Sequence, residues 1–284
     1  MTAQTIVLTG ATSGIGRQAA LSLGASGHRL LVVGRNQQLL DALVADVTKR
    51  GGLPPRTFRA DLSLQREVRR VAAEIAAAAP VIDVLVNNAG AIFDERLLTA
   101  EGLERTFALN HVAYWLMTRL LTPNIAASPD GRIISTASAA HTRGTLDFDD
   151  LQSANRYTGW GAYGASKLAN ICFTRELARR LSADPSTKHV SASCLHPGFV
   201  ATKFGDATGF LFSSALKAVK IATALSEAKG ADTLTWLCTA PGAAARNGGY
   251  FEKRRLATMS REAGDDGVAR RLWEATAALV GESP

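Results

Sequence analysis

Residues 9–16 read TGATSGIG, and they follow the apolar run TIVL at residues 5–8. Glycines in such a turn permit positive φ angles and let a ligand approach the backbone closely. A helical stretch follows at residues 16–25, and the free N–H groups and positive dipole end at the start of a helix suit a pyrophosphate. The spacing is Gly-x3-Gly-x-Gly rather than the more familiar Gly-x-Gly-x-x-Gly, so a purely structural turn is the alternative. The strand before the turn and the helix after it favour cofactor binding.

Short apolar runs and helical stretches alternate along the rest of the chain. The strand-like runs lie at residues 29–33, 56–59, 81–86, 132–136 and 190–195, and the helical stretches at residues 37–49, 64–79, 103–121, 161–181 and 265–280. Short apolar strands separated by helices are typical of a parallel sheet that helices cover on both faces. We therefore predict one α/β domain over residues 1–284, a doubly wound, Rossmann-type parallel sheet of about seven strands. Two segments, residues 142–160 and about 202–227, interrupt the pattern and are expected to build the substrate side.

Composition excludes several classes of protein. Apolar residues make up 46% of the chain and charged residues 20%, which is ordinary for a globular enzyme. No run approaches the roughly 20 apolar residues of a membrane span, and residues 1–4 lead straight into a strand, which predicts a cytoplasmic protein. The net charge of +7 comes from scattered basic residues, so no nucleic-acid partner is expected. An anionic cofactor would account for part of this positive charge. The cysteines and histidines lack metal-ligand spacing, which predicts no metal site.

The end of the second strand discriminates between the two nicotinamide dinucleotides. A fold that prefers NAD usually has a carboxylate there for the adenosine ribose. This strand ends Gly34-Arg35-Asn36, with no acid, and an arginine can make a charge-assisted contact to a 2′-phosphate. A surface arginine is the alternative. The missing acid nevertheless favours NADP(H) over NAD(H).

The pentapeptide YGASK at residues 163–167 places Tyr163 and Lys167 at i and i+4, on one face of the expected helix. Tyrosine titrates near ~10 and is a poor acid or base at neutral pH. A nearby ammonium is expected to lower the pKa of Tyr163 and to make it a usable proton donor or acceptor. A tyrosine and a lysine at this spacing occur by chance in many helices, so the pair alone does not identify a catalytic site.

Five motifs together, in this order, resemble those of the short-chain dehydrogenase/reductase family. They are residues 9–16, Asn87-Asn88-Ala89-Gly90, Asn110, Ser138 and the Tyr163–Lys167 segment. The similarity covers about the first 200 residues and ends with Pro197-Gly198 and Thr202. The resemblance implies an oxidoreductase that transfers a hydride between a nicotinamide and a carbonyl carbon.

The resemblance also implies four catalytic roles. Tyr163 would exchange a proton with the substrate oxygen, and Lys167 would bind the nicotinamide ribose and lower the pKa of Tyr163. Ser138 would hydrogen-bond the same oxygen, with Ser135 as the less favoured choice because Ala137 replaces the first serine of the family's pair. Asn110 would hold a water relay to the lysine.

The cofactor-binding set combines the residues above with those that match the family's motifs. Asp61-Leu62 resembles the pair beside the adenine, residues 87–90 a segment that lines the cofactor, and residues 197–200 the loop over the nicotinamide. The full set is Gly10, Thr12, Ser13, Gly14, Ile15, Gly16, Arg35, Asn36, Asp61, Leu62, Asn87, Ala89, Gly90, Tyr163, Lys167, Pro197, Gly198, Val200 and Thr202.

Within the family, residues 132–141, 166–170 and 272–274 resemble the retinol-dehydrogenase-like and protochlorophyllide-reductase-like branch. A lipophilic ketone, aldehyde or secondary alcohol is the substrate hypothesis. The aromatic residues that would line an apolar pocket, or merely pack, are Trp160, Phe199, Phe204, Phe210 and Phe212. His141 is either near the site or structural. The alternatives are a conjugated C=C reductase and a non-catalytic NADP(H)-sensing protein, and the resemblance implies a homodimer or homotetramer that pairs through the two long helices.

Overall fold

The computed structural model describes residues 3–198, 227–241 and 247–284. Six residues named above lie outside this part of the chain: Phe199, Val200, Thr202, Phe204, Phe210 and Phe212. The same is true of residues 202–226 of the expected substrate loop.

One sheet organises the described residues. Its strands are β1 (Thr5–Thr9), β2 (Arg29–Gly34), β3 (Arg56–Arg59), β4 (Val84–Asn87), β5 (Arg132–Thr136), β6 (Ser191–Leu195), β7 (Tyr250–Glu252) and β8 (Arg255–Leu256). They run in the order β3-β2-β1-β4-β5-β6-β7-β8, with β1 to β7 parallel and β8 antiparallel to β7. This confirms the predicted doubly wound parallel sheet.

Helices cover both faces of the sheet. They are α1 (Gly14–Ala25), α2 (Gln37–Lys49), α3 (Gln65–Ala78), α4 (Arg105–Phe107), α5 (Ala113–Ala126), α6 (Gly159–Ala183), α7 (Glu227–Thr239) and α8 (Asp266–Val280). Alternate residues of β1 point to opposite faces: Val7 enters the core with α3, α5, α6 and α8, whereas Ile6 and Leu8 enter the core with α1, α2 and α7. In the described part of the chain, no helix is both long and apolar enough to cross a bilayer.

The long helix expected over residues 103–121 is interrupted. The short α4 leads into a π-helical turn, Ala108–Val112, before α5 begins. Glu104 starts this region, because its buried carboxylate accepts hydrogen bonds from the backbone N–H groups of Thr106 and Phe107, both at 2.7 Å. Asn110 lies in the middle of the π turn, and such turns are frequent at functional sites.

Candidate active site

The glycine-rich turn leaves the first backbone N–H groups of α1 without a side-chain cap. Gly10 has φ +66° and Gly14 has φ +54°, which a side chain would disfavour. Ser13 precedes α1 in extended conformation and forms no side-chain hydrogen bond to the helix, so its hydroxyl does not cap the first N–H groups. A Cβ at Gly16 would lie 2.2 Å from the Gly10 carbonyl oxygen. The turn therefore forms a tight cradle at a helix N-terminus, which fits a pyrophosphate.

Asn88 locks this turn to the end of β4. Its Nδ2 donates to the carbonyl oxygens of Thr9 at 3.0 Å and Gly10 at 3.3 Å, and its backbone N–H donates to Thr9 Oγ1 at 2.9 Å. The N–H of Ala89 donates to the same hydroxyl at 3.1 Å. Asn88 was missed as a site residue, although it lies inside the quoted motif. Asn87 instead points away from the cradle, with Nδ2 donating to Thr118 Oγ1 at 2.9 Å.

Arg35 lies at the rim of the same cradle. The preceding Gly34 packs against Thr12, because a Cβ at Gly34 would lie 2.7 Å from Thr12 Cγ2. Arg35 is exposed and forms no ion pair with any residue in the described ranges. Its guanidinium is thus available to an anion next to the glycine turn.

Asn36 and Asp61, both expected at the adenosine end, have local roles. Asn36 caps α2, because its Oδ1 accepts a hydrogen bond from the N–H of Leu39 at 3.1 Å. Asp61 Oδ1 accepts from the backbone N–H and the hydroxyl of Ser63, at 3.0 and 2.8 Å, and Leu62 is buried. These contacts fix the loops that follow β2 and β3 at the edge of the site.

Ser138 and Tyr163 are joined by a side-chain hydrogen bond. Ser138 follows β5, and Tyr163 lies in the first turns of α6, with its ring nearly buried. Burial raises the pKa of Tyr163 to about 12, and the bond to Ser138 opposes that rise. Ser135, the other candidate, has a buried Oγ without a hydrogen-bond partner in the described residues. Ser138, rather than Ser135, is therefore the serine that contacts Tyr163.

Lys167 lies behind this pair, one helical turn further along α6. Its Nζ donates to the carbonyl oxygen of Thr136 at 2.9 Å and lies 5.6 Å from the ring centre of Tyr163 and 5.7 Å from that of Tyr114. Burial lowers the pKa of Lys167 to about 7. The expected lowering of the Tyr163 pKa by this lysine is wrong for the structure as described. Burial is the largest cause of both pKa shifts, and the amine of Lys167 is directed to the carbonyl oxygen of Thr136.

Asn110 is buried and braces the loop after β4. Its side chain exchanges two hydrogen bonds of 2.9 Å with the backbone N–H and carbonyl of Ala91, and its Nδ2 also lies 3.0 Å from Ser166 Oγ. A Cβ at Gly90 would lie 3.1 Å from Asn110 Oδ1 and 3.4 Å from Lys167 Nζ. Asn110 is therefore beside the lysine, as expected.

His141 and Gly198 lie in the segments that follow β5 and β6. His141 Nδ1 lies 2.7 Å from the Ser138 carbonyl oxygen, and its Nε2 accepts from the N–H of Ser260 at 3.2 Å. These contacts support the structural interpretation of His141, whose pKa is lowered by burial. Gly198 has φ +81° and donates its N–H to His196 Nδ1 at 3.0 Å.

A cleft of about 500 Å³ adjoins Ser138, with His141, His196, Tyr250 and Glu252 in its walls. Trp160 is 54% exposed and stands edge-on to Tyr163, with 6.0 Å between the ring centres. The residues in the walls of this cleft are thus mainly polar, and the exposed Trp160 stands beside Tyr163. No cluster of three or more metal-ligating side chains occurs within the described ranges.

The comparisons with known proteins identify the family. The family model described as "short chain dehydrogenase" matches residues 4–209. A candidate daunorubicin C-13 ketoreductase, DnrU, from Streptomyces sp. (strain C5) is 42% identical over 99% of this chain and 93% of its own. Human retinol dehydrogenase 13 is 36% identical over 99% of this chain and 86% of its own.

Solved structures share the fold. A candidate NAD(P)-dependent gluconate 5-dehydrogenase from Beutenbergia cavernae, with bound NADP at low occupancy, is 27% identical. It has a TM-score of 0.69 and covers 88% of this chain and 95% of its own. The chain belongs to the short-chain dehydrogenase/reductase family of oxidoreductases.

Proposed function

We propose that this chain is an NADP(H)-dependent oxidoreductase that interconverts a lipophilic ketone or aldehyde and the corresponding alcohol, with Tyr163 as general acid and base. The hydrogen-bonded pair of Ser138 and Tyr163 carries the proposal. It lies beyond the carboxyl end of β5, where open α/β sheets bind ligands, and Lys167 lies directly behind it.

The protonation of Tyr163 suits carbonyl reduction. With a pKa raised to about 12, the phenol holds its proton at neutral pH and can give it to an oxygen that becomes an alkoxide. Ser138 would hydrogen-bond the same oxygen and stabilise its developing charge. When bound, the nicotinamide supplies the hydride to the carbonyl carbon or accepts it in the reverse direction. Lys167 and Asn110 hold the loops around this proton-transfer pair.

The assignment of NADP(H) as cofactor rests on Arg35, at the rim of the glycine-rich cradle. Arg35 is an exposed and unpaired cation among the described residues, directly after Gly34, which packs on the glycine turn. A guanidinium suits a 2′-phosphate, and no carboxylate stands at the end of β2 to favour NAD. The Beutenbergia relative, with its bound NADP, supports the same choice.

The names of two relatives bear on the reaction. One refers to the reduction of a ketone and the other to the oxidation of a primary alcohol. Both are carbonyl–alcohol reactions, which favours this proposal over the conjugated C=C reductase and the NADP(H)-sensing protein. The cytoplasmic location and the homo-oligomer stay predictions.

A titration followed by nicotinamide fluorescence tests the cofactor assignment. We expect NADPH to bind more tightly than NADH, and Arg35→Ala to weaken NADPH binding by about tenfold or more while leaving NADH binding unchanged. Arg50→Ala is the matched control, because Arg50 is exposed at the far end of α2. Equal loss for both nucleotides in Arg35→Ala would contradict a 2′-phosphate contact.

A substrate panel then tests the reaction. Incubation with NADPH and with aldehydes, ketones and conjugated enones, followed by product analysis, separates carbonyl reduction from C=C reduction. We expect alcohols as products. Saturated carbonyl products would favour the C=C reductase, and tight NADPH binding without turnover of any substrate would favour the sensing protein.

A further inference from the structure

A chain of buried polar side chains runs from the C-terminal helix to the acceptor of Lys167. Thr276 on α8 has its Oγ1 2.9 Å from His111 Nε2, and His111 Nδ1 lies 3.4 Å from Asn170 Oδ1. Asn170 Nδ2 donates to the carbonyl oxygens of Asn110 at 2.9 Å and Thr136 at 3.3 Å. Thr276, His111 and Asn170 have no exposed surface.

The donor and the acceptor of each hydrogen bond in this series follow from the two carbonyl groups that Asn170 contacts. Two carbonyl oxygens accept from Asn170, so its amide nitrogen faces them and its Oδ1 faces His111. His111 must then carry its proton on Nδ1, which leaves Nε2 to accept from the hydroxyl of Thr276. Burial lowers the pKa of His111 to about 4, in accord with a neutral ring.

The two carbonyl groups that Asn170 holds belong to the proton-transfer site. The Thr136 carbonyl oxygen is also the acceptor of Lys167 Nζ at 2.9 Å. Asn110 braces the loop beside Lys167, and its Nδ2 contacts Ser166, whose hydroxyl donates to the carbonyl oxygen of Tyr163 at 2.7 Å. One amide group therefore ties together the β5 end and the π turn on either side of the lysine.

We propose that Asn170, oriented by His111 and Thr276, is a positioning residue for Lys167, and that α8 thereby sets the geometry of the proton-transfer pair. The inference rests on the proposed function, since it concerns the lysine of that reaction. A buried hydrogen-bond chain can also serve stability alone. The two roles differ in what they predict for turnover in a variant that still folds and binds cofactor.

Thr276 is the residue of choice for the test, because it is not among the residues assigned to the cofactor or to proton transfer and has two matched replacements. Thr276→Val keeps the shape and removes the hydroxyl, whereas Thr276→Ser keeps the hydroxyl. We expect Thr276→Val to lower kcat by about tenfold, with KM and the Kd for NADPH within about twofold of the wild type. Thr276→Ser should restore most of kcat.

Thr174→Val is the matched control. Thr174 is equally buried, lies on α6 and donates its hydroxyl to the carbonyl oxygen of Asn170 within the same helix. We expect its kcat to stay near that of the wild type even if its Tm falls. Equal losses of kcat in the two valine variants, or a loss of Tm without any loss of kcat in Thr276→Val, would overturn the positioning role.

Two further measurements do not depend on turnover. The ¹⁵N shifts of the His111 ring should report the neutral Nδ1–H tautomer, and the opposite tautomer or a charged ring would overturn the inference. Crystal structures should show the contact between Lys167 Nζ and the Thr136 carbonyl displaced in Thr276→Val and retained in Thr174→Val. If the wild type turned over no substrate, the proposed function would fail, while these readouts would still decide whether α8 positions Lys167.

Discussion

The hydroxyl groups of Ser138 and Tyr163 share a hydrogen bond that works against the effect of burial on the tyrosine. Burial raises the pKa of Tyr163 because the phenolate is poorly solvated, and the bond to Ser138 lowers it because the serine stabilises the charged form. The working pKa of the tyrosine therefore depends on a residue of a different element, at the end of β5.

Ser138→Ala should change the pH dependence of the reaction as well as its rate. Without the hydrogen bond the pKa of Tyr163 rises, so oxidation, which needs the phenolate, should require a higher pH than in the wild type. We expect kcat to fall by about 10²-fold, as for the loss of one oxyanion donor. Profiles of kcat/KM against pH in both directions check this; an unchanged alkaline limb would contradict the coupling. Ser135→Ala is the control, since the Ser135 hydroxyl is unpaired among the described residues.

Tyr163→Phe should remove most turnover and leave the cofactor site intact. Positioned general acids contribute about 10²- to 10⁴-fold to rate, so we expect a loss of kcat in that range with the Kd for NADPH within about twofold. Tyr157→Phe serves as the control, because Tyr157 contacts the carbonyl oxygen of Phe93 and the hydroxyl of Thr106. Near-normal turnover in Tyr163→Phe would rule out its role as the proton donor.

Gly144 allows the chain after Ser138 to pass against α6. A Cβ at Gly144 would lie 2.3 Å from the carbonyl carbon and oxygen of Gly164, next to Tyr163. Because backbone atoms cannot move aside cheaply, we expect Gly144→Ala to cost about 1–3 kcal/mol in the free energy of unfolding and to lower kcat. Urea unfolding of Gly144→Ala and Gly264→Ala tests this. At Gly264 the nearest atom would be 3.5 Å away, so an equal loss there would contradict the packing argument.

The predictable parts of the structure are those that leave a pattern in adjacent residues. The apolar runs gave β1 to β6 within a few residues, and the predicted bounds of residues 37–49 coincide with α2. By contrast, β7 has three residues and β8 two, too few for any periodicity. The π turn around Asn110 was also missed, because its cause is a contact with Ala91 in a separate loop.

The site follows the same rule. Ser138, Tyr163 and Lys167 could be predicted as site residues because they match ordered motifs, and the structure brings them together. The direction of the shift in the Tyr163 pKa could not be predicted, because it depends on how deeply the fold buries the phenol. His111 and Thr276 were not predicted, because they are far apart in the sequence and meet only when α8 packs against the π turn. Asn170 gave one usable signal: it is a polar residue three positions after Lys167 in an otherwise apolar stretch.

His111 should make the stability of the protein depend on pH. Its pKa falls from 6.5 to about 4 on folding, so between these pH values the unfolded state binds more protons than the folded state. The free energy of unfolding should therefore drop as the pH falls from about 6.5 to 4, by up to about 3 kcal/mol from this group. Urea unfolding of the wild type and His111→Gln across this range tests it. The slope should be shallower in the variant, and parallel curves would contradict a buried neutral histidine.

The C-terminal helix also restricts how two copies of the chain could pair. The expected homo-oligomer would use α5 and α6, but α8 packs on α6 and buries Trp273 against Phe173 and Trp115, with ring centres 5.8 and 5.4 Å apart. Most of α6 from Ala162 to Leu181 is buried within one chain. Pairing of α6 with a second α6 would require α8 to leave, which would expose this aromatic cluster and release Thr276 from His111.

We therefore expect that any homo-oligomer uses a different face. Light scattering over a range of concentrations gives the mass, to be compared with 30.0 kDa for one chain. If the mass is larger, cross-linking followed by mass spectrometry locates the interface, and its cross-links should lie outside α6. A cross-link that joins α6 of one copy to α6 of another would contradict the prediction. It would also contradict the positioning role of α8, because α8 and the α6 of a second copy cannot occupy the same face of α6.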